Sequence, residues 1–212
     1  MRLLVRVMIV FGLMFSNASF AQAVAPPEFR GFLVDMSRLS PEQRKTLTSS
    51  YIEQIKVIEA VGLPAEILAF MKTIPIFVDP EYSRTDTHAL YRRKDITPKL
   101  KGQVVTDLTP MEPNRPILLH EMLHAYDANQ WDFNNTIVLA AYERALREKL
   151  YPPSSVKAHF LSNPREYFAI SATIYLFGQI QQEPFNCAVL AKKQPRYVEY
   201  LGQLFGKHTH CG

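Results

Sequence analysis

The chain has 212 residues, two cysteines and a formal net charge of +4. That length suits one domain with an apolar core of its own and excludes a small scaffold that depends on staples. With 24 basic residues against 20 acidic ones and no basic cluster, the charge pattern gives no footprint for nucleic acid.

The first residues read as a signal peptide. Arg2 and Arg6 open a short apolar run that ends near Phe15, and Ala21-Gln22-Ala23 follows as an A-x-A cleavage pattern. The run is too short to span a bilayer comfortably, so cutting after Ala23 and export are expected, into a periplasm or out of the cell. The mature chain is then one domain over residues 24–212, with 22 basic against 20 acidic residues once Arg2 and Arg6 are gone. No later stretch is long and apolar enough to cross a membrane. In an exported protein, Cys187 and Cys211 read as one disulfide that pins the C-terminal tail. The alternative is a second metal site from His208, His210 and Cys211, a poor tetrahedral cage at a frayed chain end.

Residues 24–27 read as a leader and residues 29–34 as a short strand. Ser40 caps a helix, Pro41 takes its first position, and Gln43 completes a capping box. Leu47, Tyr51, Ile55 and Ile58 fall three and four residues apart, so one face of that helix is buried before Gly62 stops it. A shorter helix covers residues 65–72. Residues 74–78 form a strand, and residues 89–92 are expected to pair with it. A stronger strand candidate lies at residues 102–108. The Pro-rich stretch 110–116 leads into the next helix, with Pro116 in its first turn and Asn114 as a candidate cap. Asn134-Asn135-Thr136 turns the chain into a helix over residues 137–149, which Pro152-Pro153 ends. Ser162-Asn163-Pro164 caps a helix over residues 165–177, closed by Gly178, and a last helix covers residues 197–205.

Chemistry concentrates in His120-Glu121-Met122-Leu123-His124, an H-E-x-x-H motif set in an apolar, helix-compatible run. On a helix the two histidines lie one turn apart on one face, where two imidazoles can grip one zinc ion. Glu121 is turned about 100° from His120. It stays out of the ligand shell but close enough to take a proton from water at the metal. A catalytic zinc needs a third protein ligand. The metzincin continuation is excluded, because its glycine and histidine positions hold Asp127 and Gln130. Two later acids remain: Glu143, in a segment that turns charged, and Glu166, at the first turn of an apolar helix whose positive dipole end faces it.

His120-Glu121-x-x-His124-x-x-Asp127, followed by Asn163-x-x-Glu166-Tyr167-Phe168-Ala169, resembles the gluzincin family of the anthrax lethal factor catalytic domain and the secreted Pro-Pro endopeptidases. The resemblance covers residues 116–177, and its second motif is the more specific one. It implies His120, His124 and Glu166 as ligands of one zinc per chain and Glu121 as general base. The family places a tyrosine seven residues before its third ligand, as donor to the oxyanion, and this chain has His159 there. An imidazole N–H can do the same work, with Tyr142, Tyr167 or Tyr175 as substitutes. The family's acidic residue four positions after the third ligand is replaced by Ile170, so support for the imidazoles is expected from Asp127.

The expected fold is α+β and zincin-like, mainly helical, with a small sheet beside the H-E-x-x-H helix and an extended substrate added to the strand nearest the site. The expected protein is a monomeric, secreted or periplasmic zinc endopeptidase acting on a peptide or protein substrate, with no nucleic-acid partner and no membrane attachment after signal cleavage. Two alternatives stand beside it: a non-catalytic binding module stabilised by zinc, and a zinc hydrolase of cell-wall peptides.

Overall fold

The structure is a computed structural model that describes residues 29–82, 87–93, 102–207 and 211, with the side chains of residues 156 and 157 excepted. The expected signal peptide and 24–27 leader, His208 and His210 lie outside the described residues. The order of elements is β1 (Val34–Asp35), α1 (Pro41–Ala60), α2 (Ala65–Lys72), β2 (Ile76–Val78), β3 (Ala89–Arg92), β4 (Gln103–Thr106), α3 (Ile117–Trp131), α4 (Thr136–Arg147) and α5 (Pro153–Lys157). A 3-10 turn (His159–Leu161), α6 (Pro164–Phe177), α7 (Cys187–Lys193) and α8 (Pro195–Phe205) complete it. This is a mainly helical α+β fold with one small mixed sheet. No described helix is long and apolar enough to cross a membrane.

The sheet has the order β1-β2-β4-β3. β1, β2 and β4 run parallel, and β3 runs antiparallel to β4. The expected pairing of residues 89–92 with residues 74–78 is therefore wrong. β4 carries buried Val104, Val105 and Thr106 and takes the inner place, while β3 alternates buried and more exposed residues, as an edge strand does. The first strand is also shorter than expected. Arg30 and Gly31 turn the chain at φ 55° and 87°, which leaves only Val34–Asp35 extended. Two further short helices, α5 and α7, lie between the expected ones.

α1 begins on the expected capping box: Gln43 N donates to Ser40 Oγ, and Ser40 N donates to Gln43 Oε1. Its buried face carries Leu47, Tyr51, Ile55 and Ile58, but also Ser50 and Gln54. These two polar side chains hold the approach to α3. Ser50 Oγ accepts from Met111 N at 2.7 Å and lies 3.0 Å from Met111 O. Gln54 Nε2 donates to Glu112 O at 2.7 Å and to Arg115 O at 2.8 Å, and Gln54 Oε1 accepts from Leu118 N at 3.1 Å. The residue before α3 is Pro116, which makes no side-chain cap, and Asn114 does not cap it either. A helix start needs acceptors for its first amides. Here α1 supplies one from across the core.

α3 is buried on nearly every face. β3 lies along one side of it, and α1, α2 and α6 pack around the rest. α6 starts on an Asn163 cap, with Asn163 Oδ1 accepting from Arg165 N and Glu166 N, and ends at Gly178 with φ 98°. It then runs buried from Tyr167 to Leu176. Cys187, at the head of α7, is joined by a disulfide to Cys211, as the cysteine count implies.

Gln54 is fully buried, and its removal strands the Leu118 amide and takes one of two donors from each of the Glu112 and Arg115 carbonyls. Gln54→Ala is expected to lower stability by about 3 kcal/mol. A urea titration of the two proteins measures the difference.

Candidate metal centre

The register of α3 and of α6 brings three donor atoms together. His120 and His124 rise from one face of α3, with their Nε2 atoms 3.1 Å apart. Glu166, in the first turn of α6, places Oε2 3.2 Å from His124 Nε2 and 3.3 Å from His120 Nε2. The three atoms form a nearly equilateral triangle. Ligand atoms bound tetrahedrally at zinc distances stand about 3.3 Å from one another. The chemistry of the set agrees. Two imidazole nitrogens and a carboxylate oxygen stand together, and hydrogen bonds alone leave like against like: N–H against N–H if both rings donate to Glu166, lone pair against lone pair if one does not. A cation between them satisfies all three.

His159 comes from the 3-10 turn, whose geometry is fixed locally. Ser162 N and Ser162 Oγ both donate to the His159 carbonyl, at 3.2 and 2.8 Å. Its Nε2 lies 2.8 Å from the same Glu166 oxygen. That is a hydrogen-bond length, shorter than a ligand–ligand spacing, with the imidazole N–H as donor. The donor atoms of His120, His159 and Glu166 all fall within 4.8 Å of one another, so this group too is able to hold a metal ion. The His159 side chain is 57% exposed, against 9% for His124 and 16% for both His120 and Glu166. It reaches the site from the solvent side.

Burial alone would raise the Glu166 carboxyl. The three imidazoles that face it outweigh this and hold it well below the usual carboxylate range. Glu121 shows the opposite balance. It is buried, and burial pushes its carboxyl up, against the charge of His120 and the amide of Tyr91. Glu121 Oε2 accepts from Tyr91 N of β3 at 2.6 Å. Sequence reasoning missed this contact, because a backbone donor carries no residue signature. It follows only once β3 is known to be the edge strand beside α3. Thr87 Oγ1 engages Ala89 of the same strand, donating to its carbonyl at 2.5 Å and accepting from its amide at 3.3 Å. Side chains of this chain thus occupy hydrogen-bonding groups on the strand expected to receive an extended substrate.

The remaining candidates lie elsewhere. Glu143 is exposed on α4. Tyr142 OH donates to Leu161 O, Tyr167 OH to Gln194 Oε1 and Tyr175 OH to Gly206 O, so each hydroxyl is engaged away from the three imidazoles. Asp127 does not support the imidazoles as expected. It is buried, no hydrogen bond joins it to His120 or His124 among the described residues, and its Oδ1 has no partner there. Its charge is felt instead at Tyr197 and Tyr200 of α8.

A cleft of 540 Å³ opens at this centre, lined by Thr87 and His88 before β3, residues 114–117, His120, Glu121, His159, Thr173 and residues 180–182. With this geometry in place, the likeness to solved proteins is informative. The fold is similar to that of the PRO-PRO endopeptidase from Paenibacillus alvei, with a TM-score of 0.50 at 13% identity, over 85% of this chain and 100% of that one. At that identity the likeness establishes a related fold. No protein-family model and no curated protein matches the sequence.

Asp127 gives a pH prediction. Burial raises its carboxyl to about 7, with Arg165 opposing. The folded protein therefore takes up this proton before the unfolded chain does as pH falls, so Asp127 destabilises the fold above pH 7 and progressively less toward pH 4. Asp127→Asn is expected to stabilise the protein on the order of 3 kcal/mol at pH 8, with the gain shrinking on acidification. Urea midpoints across pH 4 to 8 check it.

Proposed function

We propose that this chain is a zinc-dependent endopeptidase of the gluzincin type, exported with residues 1–23 removed, acting as a monomer on peptide or protein substrates. His120, His124 and Glu166 would hold one zinc, Glu121 would be the general base and His159 the oxyanion donor. The observation that carries this reading is the triangle of donor atoms at 3.1, 3.2 and 3.3 Å, with an acid and an imidazole beside it. The fold likeness to an endopeptidase supports it. The open cleft favours a catalytic centre over a closed structural site, since structural zinc sites fill the fourth position with protein.

Zinc, when bound, supplies a Lewis acid that polarises the scissile carbonyl and acidifies water. The residues do the rest. Tyr91 N–H anchors one oxygen of the Glu121 carboxylate and fixes its plane. Glu121 takes a proton from the attacking water and passes it to the leaving amine nitrogen. His159 Nε2–H turns from Glu166 to the carbonyl oxygen as negative charge gathers there. Its exposure on a short turn leaves it room to do so.

The purified protein is expected to contain one zinc per chain by elemental analysis. Glu121→Gln is expected to keep that zinc and lose peptide cleavage by about 10³-fold. Full activity in this variant removes Glu121 as the base. His159→Phe is expected to keep the zinc and lower kcat by about 10²- to 10³-fold with KM little changed. If it loses the metal instead, His159 is a ligand and the assignment of an oxyanion donor is wrong.

A further inference from the structure

The cleft beside the three imidazoles has a charge pattern that the chemistry does not require. Among the described residues that line it, the one fixed positive charge is Arg115 and the one carboxylate is Glu121. Glu121 is buried and occupied by Tyr91 N–H. His88 is engaged by Asp107 at 2.9 Å, a residue outside the lining. Asn114, Gln181, Gln182 and Thr87 are neutral. The first turn of α3 carries no acid either. Arg115 is exposed, five residues before His120, and among the described residues no ion pair joins it to an acid.

The backbone under Arg115 is held firmly. Its carbonyl accepts from Gln54 Nε2 at 2.8 Å and from Ile117 N at 2.7 Å, and its amide donates to Glu112 O at 3.0 Å. None of these bonds uses the guanidinium. A planar cation on a rigid rim, in a cleft whose one carboxylate among the described lining residues is the buried Glu121, suits a carboxylate, which it can grip through two parallel N–H bonds.

We propose that Arg115 is a specificity-determining residue that selects substrates carrying a carboxylate close to the scissile bond, either an Asp or Glu side chain or the peptide's own C-terminus. This rests on the peptidase reading of the site. Arg115 touches the substrate away from the reacting atoms, so its effect falls on KM more than on kcat.

The test is cleavage of a peptide library by the zinc-loaded protein, with matched Glu and Gln members and with free-acid and amidated C-termini. Wild type is expected to prefer one carboxylate arm by about tenfold or more in kcat/KM. Arg115→Gln should abolish the preference through KM, and Arg115→Lys should keep part of it. The arm that shows the preference identifies the source of the carboxylate. Equal cleavage of acidic and neutral members, or a preference that survives in Arg115→Gln, overturns the proposal while the peptidase reading stands. If no peptide is cleaved, the peptidase reading falls, and fluorescence anisotropy of the same peptides on the zinc-loaded Glu121→Gln protein decides this one. Tighter binding of the carboxylate members, lost in the Glu121→Gln/Arg115→Gln double variant, supports it, and equal binding overturns it.

Discussion

Glu166 Oε2 is where α3, α6 and the 3-10 turn meet, because three imidazole nitrogens face it. A carboxylate so deeply placed is costly to desolvate, and the histidines offset that cost. The arrangement tolerates little error. A shift of one residue along either helix turns a side chain by about 100° and dissolves the triangle. The Asn163 cap and Pro164 set the start of α6, and the close packing of α3 on α6 sets their relative depth. Local helix signals and core packing thus act together to place one oxygen.

Polar groups in the core do a related job around the site. Ser50 and Gln54 sit on the buried face of α1, where an amphipathic pattern calls for apolar residues. They hold residues 111–118, so the rim of the cleft and the start of α3 are positioned from the opposite side of the core. Tyr91 does the same for Glu121 through its backbone. Asp127 is the exception. It is a buried carboxylate with one oxygen unpartnered among the described residues, and the fold carries it at a loss of stability.

The likeness to an endopeptidase fold at 13% identity fits this division of labour. Core positions accept many apolar residues of suitable volume, so sequences drift while the architecture persists. Chemistry rests on a handful of side chains, and a shared fold alone does not specify it. His159 marks where this chain follows its own course. The resemblance implied a tyrosine's role at that position, and an imidazole stands there against the Glu166 carboxylate.

Much of this molecule is written locally. The capping box of α1, the Asn135 and Asn163 caps, Gly178 and the H-E-x-x-H spacing depend on residues within a turn or two of each other, and the chain shows them without any fold. The pairing of Cys187 with Cys211 follows from there being only two cysteines. Helix position and the second motif already set Glu166 ahead of Glu143, but only tertiary structure shows that Glu166 Oε2 comes within 3.2 and 3.3 Å of His124 and His120 while Glu143 stays exposed. Tertiary structure also decided the order of the strands, the cap that Gln54 lends to α3, the anchor that Tyr91 N–H gives Glu121 and the isolation of Asp127. The β1-β2-β4 order, the Gln54 cap and the Tyr91 anchor each join residues at least 28 positions apart in the chain. Periodicity and spacing report a residue's near neighbours along the chain, whereas these contacts exist only once distant segments are packed together.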